Sequence, residues 1–113
     1  MAYGATMGTF HYGSATDLLR INDHVLAHLK LVITTKLRRD ESFTLSWVKP
    51  EADGPGRCTL WVHPSMPFRF DFDDDGPVQI DSALLDGLGA ESYTSRGIVI
   101  PADAFEPSPV GVS

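Results

Sequence analysis

A chain of 113 residues, 42% of them apolar, is one domain with room for one modest core. Its net charge of −6 opposes general affinity for anionic polymers, and its single cysteine excludes both an internal disulfide and a paired-cysteine zinc site. No apolar run approaches the roughly 18 residues of a membrane helix, and no basic segment leads into an apolar one at the start, so a cytoplasmic protein is expected.

In chain order, residues 1–6 are small and Gly-containing and read as an N-terminal extension, with Met7 as an alternative start. Thr9, Phe10, His11 and Tyr12 form a short β-prone run, and Leu18, Leu19 and Ile21 form another; residues 13–16 between them read as a hairpin loop. Asn22 or Asp23 suits the N-cap of a helix over residues 24–39. Val25, Leu26, Leu29, Val32, Ile33 and Leu37 make one apolar stripe on it, and Lys36, Arg38 and Arg39 fall in its last turn, where cations complement the helix dipole.

Three alternating runs follow. Phe43, Leu45 and Trp47 interleave with Thr44, Ser46 and Val48; Cys58, Leu60 and Val62 with Thr59, Trp61 and His63; Phe68, Phe70 and Phe72 with Arg69 and Asp71. Period-2 alternation gives strands with one buried and one wetter face. The polar loop 50–56 and the tight connection 64–67 suit antiparallel neighbours. Asp81 or Ser82 caps a second, weaker helix holding Leu84, Leu85 and Leu88, with Gly89 as its stop. Ile98, Val99 and Ile100 form a last strand, and residues 102–113 read as a loose tail. The order ββαβββαβ predicts an α+β two-layer sandwich, mainly antiparallel, as a single domain over residues 7–101.

These segments resemble a known family. The helix LAHLKLVITTKLRR, the strand SFTLSW, the piece LWVHPSMP, the late GIVIP and the opening MGTFHYGS are similar to a family of small actinobacterial proteins with no established function. The resemblance spans residues 7–101 and implies a fold rather than an activity. Members of that family sometimes carry the label ATP-dependent DNA ligase. Such ligases need a lysine nucleophile in a Lys-x-Asp-Gly context, and the nearest segment here, Lys49-Pro50-Glu51-Ala52-Asp53-Gly54, has the wrong spacing.

Four groups of residues bear on function. Residues 1–69 carry +2 and residues 70–113 carry −8, so Lys30, Lys36, Arg38 and Arg39 on the helix, with Arg57 and Arg69, form either a solvated mixed surface or a nucleic-acid accessory face. Asp71, Asp73 and Asp75 stand at the first, third and fifth places of a calcium-loop pattern with Gly76 at the sixth. Ser82 replaces the glutamate expected at the twelfth place and Asp81 falls one place early, which leaves a weak Ca2+ site or an acidic turn. His24 and His28 have metal-ligand spacing but no third ligand, and read as a surface pair. Thr59, Trp61 and His63 share one strand face, with Arg69 and Asp71 expected beside them and Thr44 and Ser46 on the other side; an exposed Trp61 anchors association. No nucleophile elbow, phosphate loop or dinucleotide fingerprint occurs. The expected function is binding of another protein or self-association without catalysis, with nucleic acid as the alternative partner and calcium as the only cofactor considered.

Overall fold

Phe10 is the residue around which the first sheet closes. The computed structural model describes residues 5–13, 18–50, 54–106 and 108–109. In it β1 (Ala5–Tyr12) and β2 (Leu18–Asn22) form an antiparallel hairpin that sets Phe10 opposite Leu19. The remainder of the predicted loop, residues 14–16, lies outside the described residues. Helix α1 (Asp23–Arg38) follows directly, capped by the Asn22 side chain, which accepts from the Val25 N–H at 2.9 Å. Its predicted stripe is buried: Leu26, Leu29 and Ile33 are fully enclosed, and Val25 and Val32 nearly so. Asp40, in the left-handed conformation with φ 60°, ends the helix.

Strands β3 (Phe43–Val48), β4 (Arg57–Val62) and β5 (Phe68–Asp71) form where alternation places them. Their pairing departs from expectation. β3 and β4 are antiparallel neighbours, but β5 crosses to the first sheet and pairs antiparallel with β1, with Phe10 opposite Phe70 and His11 opposite Arg69. The connection 64–67 therefore bridges two sheets rather than turning within one. The first sheet runs β2-β1-β5, and β7 (Ser108–Pro109) joins it beside Ala5 and Thr6. The second runs β4-β3-β6, with β6 (Ile98–Val99) parallel to β3. The architecture remains α+β, built among the described residues from two helices and two small sheets.

Aromatic rings join the sheets. Phe10 lies 5.4 to 5.8 Å from the rings of Tyr12, Phe68 and Phe70, and Tyr12 meets Trp47 of the second sheet edge-on at 6.1 Å. Helix α2 (Ser82–Glu91) packs on α1 and β6, with the Asp81 carboxylate accepting from the Ala83 and Leu84 N–H groups. It continues through Gly89, the expected stop. Added side chains at Gly87 or Gly89 would meet nothing, and the helix closes only at Ser92, whose hydroxyl donates to Gly89 O at 2.6 Å.

Two glycines are dictated by close approach. A Cβ at Gly8 would lie 2.6 Å from Leu26 Cδ2 and 2.7 Å from Asp23 Oδ1, so its absence lets the start of α1 sit against β1. Gly97 has φ 76°, and a Cβ there would collide with the hydroxyl and carbonyl of Thr44. At the other end of the chain, a 3-10 turn over Ala102–Phe105 buries Ala104 fully. The Asn22 Nδ2 group donates to Asp103 O at 3.1 Å and to Glu106 O at 2.9 Å, so this part of the expected tail is fastened to the domain.

Candidate interaction face

The second sheet has an apolar underside and an open outer face. Phe43, Leu45 and Trp47 of β3 and Val62 of β4 point into the core and are at most 4% exposed. The residues between them point out. Register puts Trp61 opposite Thr44, Thr59 opposite Ser46, and Arg57 opposite Val48. Trp61 is 57% exposed and Val48 62% exposed, whereas Trp47 on the neighbouring strand is enclosed. Thr59 and Ser46 link their hydroxyls at 2.8 Å across the strands. Cys58 and Leu60, on the underside of β4, are only half-buried against the core.

Beside Trp61 a groove of about 480 Å³ runs between Phe43, Thr44 and the turn Ser92–Ser95. Lys36 forms part of its wall. Its ammonium lies 3.2 Å from Glu41 Oε1 and 3.8 Å from the Tyr93 ring centre, and the residue is 5% exposed. A cation so placed is neutralised on one side and set against a π face on the other. Arg39 Nη1 donates to the Tyr93 hydroxyl at 2.8 Å, which fixes the ring while leaving it 61% exposed. The groove thus has two exposed aromatics, Trp61 and Tyr93.

The sequence-predicted residues separate into distinct places. Thr59 and Trp61 share the outer face as expected. His63 lies just past the end of β4, where its Nδ1 accepts from the Ser65 N–H at 3.1 Å and stabilises the turn. Arg69 and Asp71 are not beside Trp61, because β5 belongs to the other sheet. There Asp71 Oδ2 lies 2.9 Å from both Arg69 Nη2 and His11 Nε2, forming a small surface cluster. Desolvation pushes the Asp71 carboxyl up, but the Arg69 hydrogen bond and charge, followed by those of His11, outweigh it and hold the group below its ordinary range.

The basic residues do not act as one patch. Lys36 is enclosed and ion-paired, Arg39 is tied to Tyr93, Lys30 leans toward the Phe72 ring at 6.0 Å, Arg38 is exposed at the end of α1, and Arg57 is on β4. The acidic run is likewise divided. Asp71 is held by Arg69 and His11, and Asp81 caps α2. The backbone of the loop is gripped from elsewhere: the N–H groups of Asp73 and Asp74 donate to the two oxygens of Asp23 at 3.1 and 3.0 Å. The side chains of Asp73 and Asp75 are exposed, and among the described residues no three His, Cys, Asp or Glu groups gather as metal ligands would.

The expectation of a surface histidine pair is corrected. His28 is fully buried. Its Nε2 accepts from the Asp81 N–H at 2.8 Å, so Nδ1 carries the proton and donates to His24 O at 2.6 Å. One imidazole thereby links a carbonyl of α1 to the residue that caps α2. Burial, reinforced by the adjacent His28 ring, holds the His24 imidazole below its ordinary pKa against the opposing pull of Asp81 and Asp103. Sequence reasoning also missed Asp23 as the clamp of the acidic loop. The available signal was a carboxylate directly after an N-cap candidate, together with Gly8 inside the first strand pattern.

Set against known proteins, residues 7–103 match the model of one family, described as a domain of unknown function (DUF7882). The chain belongs to the DUF7882 family. The match extends from β1 through β6 into the 3-10 turn, so the family unit contains both helices and both sheets apart from β7 and the first two residues of β1. No curated protein and no solved structure matches the chain. Among the described residues no helix is long and apolar enough to cross a membrane.

Proposed function

We propose that this family member is an interaction module, without catalysis of its own, that docks a protein partner on the outer face of its second sheet. The observation that carries this reading is Trp61, a large amphipathic side chain left 57% exposed on the outer face of β4 while the core encloses Trp47 of the neighbouring strand. Burying a tryptophan of this kind is the commonest way an interface concentrates its binding energy. Val48 and Tyr93 extend the apolar area at either end, and Thr44, Ser46 and Thr59 supply hydroxyls between. A nucleic-acid accessory role has less support, since Lys36 is enclosed and ion-paired and Arg39 is engaged by the Tyr93 hydroxyl, so the basic residues of α1 do not form one open patch.

The test is site-specific photocrosslinking in cells. A photoreactive analogue replacing Trp61 is expected to give a discrete adduct, and the same analogue at the exposed Asp86 of α2 is not. A folded protein that gives no adduct at position 61 would refute the reading.

A further inference from the structure

β4 is the last strand of its sheet, and among the described residues nothing pairs with its far edge. Two hydrogen bonds fix which backbone groups face that edge. The Lys49 N–H donates to Gly56 O at 2.9 Å, so Lys49 and Gly56 are a hydrogen-bonded pair of the antiparallel ladder. Alternation gives the same status to Trp47 with Cys58, Leu45 with Leu60, and Phe43 with Val62. The N–H and C=O groups of Arg57, Thr59 and Trp61 therefore point away from β3. The other side of β3 agrees with this phase, since the Ile100 N–H donates to Ser46 O at 2.8 Å. Those same three residues carry the exposed side chains that β4 contributes to the outer face.

Edges that must stay single are usually blunted by charged side chains, a proline or a bulge. The ladder of β4 with β3 is continuous from Arg57 to Val62 with no proline or bulge, and its one charged residue, Arg57, stands at its end. Pro55 and Pro64 stand outside it and set the limits of the open segment.

We infer that this edge pairs antiparallel with the same edge of a second copy, about a two-fold axis at Thr59. This rests on the interaction reading above and names its partner. In that register Thr59 faces its own copy, and each Arg57 faces the Trp61 of the other chain, a guanidinium against an indole at directly opposed positions. Every edge-facing N–H and C=O of Arg57, Thr59 and Trp61 finds a partner. Beneath them Cys58 lies opposite Leu60, which extends the apolar underside that a single copy leaves half-buried. Neighbouring registers are poorer. An axis at Cys58 sets Trp61 opposite Pro55, which has no N–H, and an axis at Leu60 sets Arg57 opposite His63; both lose the Arg57–Trp61 pairs. A shift that centres on Arg57 sets like charges together and brings Pro55, which has no N–H, opposite Thr59. A shift that centres on Trp61 carries Arg57 past Pro64 into the turn. An odd shift sets outer-face side chains against inner-face ones.

The test is sedimentation equilibrium of the whole chain from about 1 µM to about 500 µM, where mass action resolves a concentration-dependent dimer. The unmodified chain is expected to dimerise in this range. T59K and T59E each place like charges on the axis and are expected to remain monomeric, and mixing them in equal amounts is expected to restore a one-to-one heterodimer. W61A, which removes both cation–π contacts, is expected to weaken the dimer about tenfold or more. Thermal melts of each variant confirm folding, which the exposed position of Thr59 favours. A chain monomeric throughout, or a dimer that persists in T59K and in T59E alone, overturns the proposal. A monomer that still crosslinks through position 61 to a different protein overturns the second copy as partner and leaves the interaction reading standing. A dimer insensitive to T59K, together with no adduct at position 61, removes both.

Discussion

Replacing Asp23 by alanine tests the reading of the α1 start as the point that holds the acidic loop. Asp23 is 3% exposed and accepts the Asp73 and Asp74 N–H groups at 3.1 and 3.0 Å. Each hydrogen bond to a charged acceptor contributes about 1.5 to 3 kcal/mol, but the freed amides belong to exposed residues and regain water, so about 0.75 to 1 kcal/mol each is the net expectation. Loss of a carboxylate from the first turn of a helix adds about 0.5 to 1 kcal/mol. The total, about 2 to 3 kcal/mol, is a large share of the stability ordinary for a domain. With about 2.1 cal/mol/K of unfolding entropy per residue over 113 residues, Tm should fall by about 8 to 13 °C. The assay is circular dichroism melting combined with native-state hydrogen exchange. The Asp73 and Asp74 amides should lose protection while Leu29 and Ile33 keep theirs, and Asp23→Asn should fall between parent and alanine variant. A melting point within about 2 °C of the parent, or a loss of protection spread evenly over the domain, would refute the reasoning.

Gly97→Ala should cost about 3 kcal/mol or more, combining left-handed backbone strain with a collision against the Thr44 carbonyl; an unchanged urea midpoint would contradict this. Because folding lowers the His24 pKa, the native state binds fewer protons than the unfolded chain, so its contribution is intact above the ordinary value of 6.5 and is lost as pH falls through it. Asp71 acts with the same sign but below its ordinary value of 3.8. His24→Gln should therefore flatten the decline of Tm just below pH 6.5 and leave the more acidic limb in place, and two superimposable profiles would dismiss the effect. About 5 mM calcium should leave Tm unmoved, since Asp71 and Asp81 are already engaged; a site with Kd of about 50 µM would instead add about 2.7 kcal/mol.

Periodicity carried most of the secondary structure. The stripe from Val25 to Leu37 and the alternation in β3, β4 and β5 are local patterns, and local patterns report which face is buried. They do not report which strand lies alongside. Phe68 and Phe70 alternate identically whether β5 continues the second sheet or joins the first, so the crossing at residues 64–67 was illegible and with it the separation of Arg69 from Trp61. His28 was misjudged, and the clamp role of Asp23 beyond its candidacy as a cap was missed, for a related reason. Polarity reads as surface, yet both are satisfied by backbone groups roughly fifty positions away, which no local window contains. The outer-face position of Trp61 was legible because it follows from parity alone.

The way the strands are shared has a consequence for synthesis. Each sheet takes a member from late in the chain: β6 at Ile98–Val99 completes the second by lying beside Leu45 and Ser46, and β7 at Ser108–Pro109 joins the first beside Ala5 and Thr6. As the polypeptide leaves the ribosome, the N-terminal hairpin and α1 emerge long before either sheet is whole. Partner-seeking backbone on β1 and β3 then waits in the open. Closure of such distant pairings is slow, and the interval before it is when nascent chains capture one another. A nascent chain halted before Ile98 would lack a strand of both sheets at once, and so should be handled by the cell as an aggregation-prone fragment rather than as a smaller version of the domain.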